Sequence, residues 1–379
     1  VEHDVQAKTE SPRLATVLPE RPLRIAFLDS WLQQVIDGSG TAAAIGGLEQ
    51  ALIRRGHRVT RITPRSNWPH VLTLRRLLYN LQLPALLRTL SYDLIVGFDI
   101  DGFLWAGRTT KTPYICSVKG VIAEELRHET GNVRRTLWSM SRLEMLNARR
   151  APLVLTTSDY CRQKIHEHYG VASAKIRLVP EGIDLPRWRD MFYKTDVARD
   201  PFTVLCVARQ YPRKHIADLL HAFVQVKEEV PFARLIIIGD GPDHEFLLEL
   251  ARSLKLEGIA RFMGGLPDAA EVMAWYKRSA VFCLPSVQEG FGIVFLEAMA
   301  SGIPIVATTA AAIPEVVPHR QAGILVPPAS PAALAEALLE LLENPVRCAE
   351  YGSFGQHYVE QFTWDRVAER FLAAVADRV

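Results

Sequence analysis

The chain is poor in cysteine, lacks long apolar runs and, over one stretch, has no acid at all. Only five cysteines occur in 379 residues: Cys116, Cys161, Cys206, Cys283 and Cys348. They are odd in number and far apart, which excludes a disulfide framework as the organising device. Four sit in apolar strand-like or helical contexts, which predicts buried thiols in a reducing compartment. No uninterrupted apolar run approaches the roughly 20 residues that a membrane span needs. The first residues are polar and carry no apolar core of a secretory leader, so a cytoplasmic location is expected. Between Gln50 and Tyr92 there is no Asp or Glu, yet there are eight arginines.

What is present describes a globular chain, with 49% hydrophobic and 23% charged residues. The length predicts two domains. A net charge of +2 hides an asymmetry. Residues 1–190 hold 27 Lys and Arg against 19 Asp and Glu, whereas residues 191–379 hold 17 against 23. The first half is therefore the one expected to attract anions. No nucleic-acid partner is expected.

The stretch Pro285–Ala300 carries the sharpest chemistry. An apolar run, Ala280 to Leu284, predicts a buried strand. Gly290 and Gly292 predict a tight loop, and Ile293 to Ala300 a helix stopped by Gly302 and Pro304. Glu289 then sits on the strand-to-helix loop and Glu297 about a turn inside the helix. The first N–H groups of that helix lack internal partners and form an anion cradle. Two carboxylates beside an anion cradle suit a nucleotide sugar, whose diphosphate takes the N–H groups and whose hydroxyls take the carboxylates.

Glu289, which opens Glu-Gly-Phe-Gly, and Glu297, with seven residues between them, resemble the E-x7-E motif of retaining glycosyltransferases of the GT-B fold, in particular glycosyltransferase family 4. The resemblance spans about residues 23–375. It implies an α/β fold of two facing Rossmann-like domains with a cleft between them, and a C-terminal helix crossing back to the first domain. The expected division is a lead-in at 1–22, an acceptor domain at 23–190 with the crossing helix 364–379, and a nucleotide-sugar domain at 191–363. The linker is expected within residues 185–200, which are aromatic and charged without clear period.

The rest of the chain fits this frame in pattern. Leu23 to Leu28 predicts a strand, a loop with Gly38 and Gly40 follows, and Thr41 to Arg55 predicts a helix before the strand Arg58 to Thr63. Gly38 and Gly40 either bring backbone to the cleft or form a plain turn. Leu74, Leu77, Leu78 and Leu81 fall at helical spacing with Arg75 and Arg76 among them. That helix either lies on an anionic surface with its basic side or turns its leucines to the core. Asp99-Ile100-Asp101 matches a D-x-D metal motif of another glycosyltransferase fold, but it follows a strand of the basic half and is read as strand-end loop chemistry.

Lys119, at the end of a predicted strand from Pro113 to Val118, stands where the resembling family often has a histidine facing the sugar. A lysine there would hold donor phosphate or an acidic acceptor. Glu124 and Glu125 are candidates for the acceptor side. Arg127–Arg150, with six arginines against two glutamates, predicts a basic helix and a further acceptor face. Pro180-Glu181-Gly182-Ile183-Asp184 resembles the family's Pro-Asn-Gly turn with Glu181 for asparagine. In the second half, Arg209 and Lys214 follow the strand Phe202 to Ala208, where open α/β sheets bind ligands. They resemble the family's Arg and Lys pair for phosphate. Leu266 falls where relatives hold the base through backbone contacts. Glu315 is read as structural.

The resemblance implies transfer of a hexose-type sugar from a UDP- or GDP-linked donor to a glycan, lipid or small-molecule acceptor, with retained configuration. Cell-surface polysaccharide or glycolipid synthesis is the expected setting. Arg209, Lys214 and the helix start at Gly290, Phe291, Gly292 and Ile293 would stabilise the departing diphosphate, Glu297 would hold ribose hydroxyls and Glu289 the sugar ring. No metal and no cofactor beyond the donor are expected. The basic first half favours an anionic or lipid-linked acceptor and peripheral contact with the inner face of a membrane. Two alternatives stand: another enzyme of the same fold, such as a sugar-nucleotide epimerase or phosphorylase, and a non-catalytic nucleotide-sugar binder.

Overall fold

The computed structural model describes residues 21–31, 40–64 and 72–379. The expected lead-in up to residue 20 and Gly38 lie outside them. The first half runs β1 (Arg24–Leu28), α1 (Gly40–Arg54), β2 (Arg58–Ile62), α2 (Leu72–Arg88), β3 (Leu94–Phe98), β4 (Tyr114–Val118), α3 (Ile122–Glu125), α4 (Gly131–Arg150), β5 (Val154–Thr156), α5 (Asp159–Tyr169) and β6 (Ile176–Leu178). Its six strands pair in parallel in the order β2-β1-β3-β4-β5-β6. A parallel sheet needs both faces covered, so its strands are apolar on both sides. Thus Ile25 and Phe27 point into one core while Ala26 and Leu28 point into the other.

A helix α6 (Leu185–Lys194) leads into the second half. This half runs β7 (Thr203–Val207), α7 (Ile216–Glu229), β8 (Arg234–Ile238), α8 (His244–Ser253), β9 (Ala260–Phe262), α9 (Ala269–Arg278), β10 (Val281–Leu284), α10 (Ile293–Ala300), β11 (Ile305–Thr308), α11 (Ile313–Val316), β12 (Gly323–Val326), α12 (Pro331–Leu342) and α13 (Pro345–Tyr358). Its sheet has the order β12-β11-β10-β7-β8-β9, the doubly wound Rossmann arrangement. The order in which strands are added reverses between β7 and β10, and between β1 and β3 in the first sheet. Ligands of such sheets bind outside the strand C-termini at these reversals.

The last helix, α14 (Trp364–Val375), returns to the first half. Trp364, Val367, Phe371 and Leu372 share a core with Ile45, Leu48 and Leu52 of α1. The expected crossing is therefore present. Part of the expected linker is helical, from residue 185 to 194. Asp184 caps α6 by accepting a hydrogen bond from the Arg187 N–H, and Leu185 already lies in the second core.

Helix α2 also departs from expectation. Leu83 and Leu87 face the core, but of the residues marked by the leucine spacing Leu74 and Leu81 are exposed, while Arg75 and Arg76 between them are buried. Arg76 lies 3.8 Å from buried Asp101 and stacks 4.5 Å from the Trp31 ring. Buried carboxylates at the strand ends supply the pull that leucine spacing alone did not reveal.

Candidate active site

The two loops at the β7/β10 reversal are fastened together. The Val287 N–H donates to the Arg213 carbonyl at 2.9 Å. Lys214 Nζ then meets Glu289 Oε1 at 2.5 Å, with both side chains largely buried. The Ser286 hydroxyl donates to the same carboxylate oxygen at 2.8 Å. Arg209 lies near the Tyr211 ring, 5.9 Å from its centroid. Lys214 and Glu289, 75 positions apart in sequence, are thus direct partners. Arg209 lies two residues beyond the end of β7, at the start of the loop that leads to Lys214.

Helix α10 begins at the same place. Gly292 caps it with φ of 91° and no capping side chain, a backbone conformation open to glycine. Inside the helix, Glu297 receives the Tyr276 hydroxyl at 2.8 Å. Burial raises the Glu297 pKa, and the Tyr276 bond pulls it back. Tyr276, on α9, had no motif to mark it in sequence. Leu266 packs partly buried on the second core beyond β9, at the sheet edge away from the β7/β10 reversal.

The first half closes over this loop. The Gly290 carbonyl accepts from the Thr157 and Ser158 hydroxyls, each at 2.9 Å. A Cβ at residue 290 would come 2.9 Å from the Lys119 carbonyl, so only glycine allows this approach. Glu315 accepts from the Asp159 and Tyr160 N–H groups, both at 2.7 Å, and so caps α5 from the opposite half. That supports the structural reading of Glu315 given above. Gly40, at the start of α1, lies 3.8 Å (from its built Cβ) from the tip of Ile293. The starts of α1 and α10 therefore lie close together.

The Glycosyl transferases group 1 family matches residues 189–358, and the Glycosyltransferase Family 4 family matches residues 38–187. The chain belongs to glycosyltransferase family 4. The boundary between the two matches falls at the start of α6. A GDP-mannose-dependent alpha-(1-6)-phosphatidylinositol monomannoside mannosyltransferase of Mycobacterium tuberculosis is 31% identical over 268 residues, covering 66% of this chain and 68% of that one. A glycogen synthase of the same species is 30% identical over 221 residues, covering 58% of this chain and 53% of that one. Sucrose-phosphate synthase from Thermosynechococcus elongatus has a TM-score of 0.78 at 21% identity, covering 93% of this chain and 97% of that one. HepE of Anabaena with UDP-glucose has a TM-score of 0.69 at 20% identity, covering 94% and 100%. These structures share the GT-B fold of two facing Rossmann-like domains.

Within this glycosyltransferase the remaining candidates separate. Asp99 and Asp101 are buried and serve the scaffold. Asp99 accepts from the Trp31 indole and the Lys119 N–H, and Asp101 from Ser30 and Asn80. Among the described residues no cluster of three or more His, Cys, Asp or Glu could hold a metal ion. Glu124, expected on the acceptor side, is buried and instead accepts from the Tyr160 hydroxyl and contacts Arg127 and His168. It is a corrected expectation: a carboxylate in the first turn of α3 was satisfied locally rather than left for a ligand. Lys119 is buried and pairs with Glu181 at 3.1 Å. All five cysteines are free thiols, four of them buried, as expected. Among the described residues no helix is long and apolar enough to cross a membrane.

Proposed function

We propose that this glycosyltransferase moves a hexose from a nucleoside diphosphate to an acceptor with retained anomeric configuration and without a metal. The observation that carries the reading is the contact of Lys214 with Glu289 at the β7/β10 reversal. In this reading the donor diphosphate competes for Lys214, and Arg209 adds a planar clamp. The released Glu289 then accepts from a sugar hydroxyl and orients the ring. Glu297 takes ribose hydroxyls further along α10. Fixed cations and the amide dipoles of the helix start meet negative charge as it grows on the leaving diphosphate. Once Lys214 has exchanged Glu289 for the diphosphate, they do the work of a divalent ion.

The mannosyltransferase relative names GDP-mannose as donor and a phosphatidylinositol mannoside as acceptor. Those words make GDP-mannose the first donor to try, and a lipid-linked or anionic glycan the first acceptor. The tip of α4 supports such an acceptor. Its first turns are exposed on every side, with Arg134, Arg135 and Arg142 around Val133 (50% exposed) and Trp138 (53%). Arg142 stacks on the Trp138 ring at 5.2 Å. Cations interleaved with an exposed indole suit an anionic lipid surface. Glu129, just before this helix, reaches Arg213 of the donor loop at 3.9 Å, so the tip stands beside the cleft.

The test is a thermal shift with GDP-mannose, UDP-glucose and their nucleotides, followed by transfer in EDTA. A ligand that binds only the folded protein raises its melting temperature. Lys214→Ala should lower kcat about 100- to 1000-fold, the range for losing one preorganised donor to developing charge. Absence of any nucleotide-sugar shift, or full dependence on added metal, would overturn the proposal.

A further inference from the structure

Glu289 is held from inside its own half by the loops that leave two neighbouring strands. Ser286 stands two residues beyond the end of β10, and Thr308 is the last residue of β11, the strand paired beside it. Both are buried, Ser286 fully. A hydroxyl has one proton to give. Ser286 gives its proton to Glu289 Oε1 at 2.8 Å. Its own carbonyl accepts the Thr308 hydroxyl at 2.5 Å. From the loop after β11, the Ala312 N–H donates to the Glu289 carbonyl at 3.3 Å. Side chain and backbone of Glu289 are therefore both tied to these two loops.

Two groups meet Oε1 of Glu289, the Ser286 hydroxyl and Lys214 Nζ. They are not equivalent. Lys214 is a point charge on a flexible four-carbon stem, which a diphosphate can draw away. Ser286 is short, packed and neutral, with no charge for a diphosphate to attract. Once Lys214 has moved, the Ser286 bond is what remains on that oxygen. Among the described residues Oε2 accepts no hydrogen bond. It is the oxygen left to take a sugar hydroxyl.

We propose that Ser286 is a positioning residue for the transfer. It pins Oε1 of Glu289 while the diphosphate engages Lys214, so that Oε2 meets the sugar ring in one orientation. Thr308 holds Ser286 in place for that bond. This deepens the donor reading above and rests on it. A misplacement of about 1 Å at a reacting centre can cost about 100-fold in rate, so a carboxylate left to swing would be felt in kcat.

The experiment reads kcat, donor KM, melting temperature and the thermal shift with UDP or GDP alone for S286A, T308V, E289A and S286A/E289A. S286A should lose about 10- to 100-fold in kcat. Its donor KM and nucleotide shift should change little, because the diphosphate contacts are intact. T308V, close in shape but without the hydroxyl, should lose less in the same direction. In the E289A background, removing the Ser286 hydroxyl should cost less than about twofold more, since its partner is gone. A hydroxyl that merely filled the core would lower the melting temperature in both backgrounds and leave kcat alone. An S286A enzyme as fast as the parent, or losses that multiply in the double variant, would overturn the inference. Should S286A fail to fold, T308V decides, and a kcat equal to the parent's overturns it. Should E289A be too slow to read, S286A alone decides. If the parent binds and transfers the donor, such a result sinks the role of Ser286 alone; if the parent does neither, the donor reading falls first and takes this role with it.

Discussion

The two halves of the molecule have similar sheets and opposite habits. In the second half the proposed donor-binding side chains sit where their local patterns put them: Lys214 meets Glu289 between two loops, and Glu297 lies a turn into α10. In the first half the charged side chains are turned inward. Arg75, Arg76, Asp29, Asp99 and Asp101 are all buried around the β1/β3 reversal. A nucleoside diphosphate is a fixed shape, so the half that would hold it needs local spacing. An acceptor domain must be shaped over a wider surface, and its charges are set by contacts between distant segments. The excess of basic residues in the first half therefore divides into an inward group on α2 and an outward group on α4.

Three changes would break or sharpen that contrast. The largest effect should come from Trp364→Ala. This side chain belongs by sequence to the second half and by packing to the first, where it is 6% exposed against the α1 core. Losing a buried Trp side chain costs about 3–5 kcal/mol. Chemical denaturation should show the first half loosening, with nucleotide binding by the second half less affected. Equal loss in both halves would show that they fold as one unit.

Next comes the pH dependence of the buried acids. Burial pushes the Asp29 and Asp99 carboxyls up to about 6, against the pull of Arg61 and Arg76 respectively. In the unfolded chain they ionise near 3.8. Between those values the folded chain holds protons that the unfolded chain has released. Their contribution is therefore full below about pH 4 and lost as pH rises towards 6. Each shift of one unit corresponds to about 1.4 kcal/mol. Melting temperature should fall from pH 5 to pH 7, and Asp29→Asn should flatten the fall by a few degrees. An unchanged slope would place the titration elsewhere.

The smallest effect should be that of Tyr276→Phe. It deletes one hydrogen bond to Glu297, worth about 0.5–1.5 kcal/mol. Donor affinity measured by calorimetry should weaken by up to about tenfold with kcat little changed. A large loss of kcat would move Glu297 from donor binding into the chemical step.

Much of the fold was legible because local patterns agreed with it. The Ile293–Ala300 helix ends where its glycines stop it, and apolar runs mark the strands of both sheets. What misled was spacing without partners. Leu74 and Leu81 repeat as a core stripe would, yet they face out because Arg76 finds Asp101 and Trp31. Glu124 looked free for a ligand and is taken by Tyr160 and His168. Tyr276 and Ser286 carried no signal, since a hydroxyl earns its role only from the carboxylate placed beside it.

By itself the sequence determined the family, the two sheets and the strand-to-helix loops that carry Lys214 and Glu289, because those depend on turns and residue spacing within a few tens of positions. Tertiary structure alone decided which charges face inward, that Lys119 answers Glu181, and that Glu315 and Gly290 join the halves. Such pairings form between segments far apart in the chain, where Coulomb attraction and desolvation act through space and leave no local period to read.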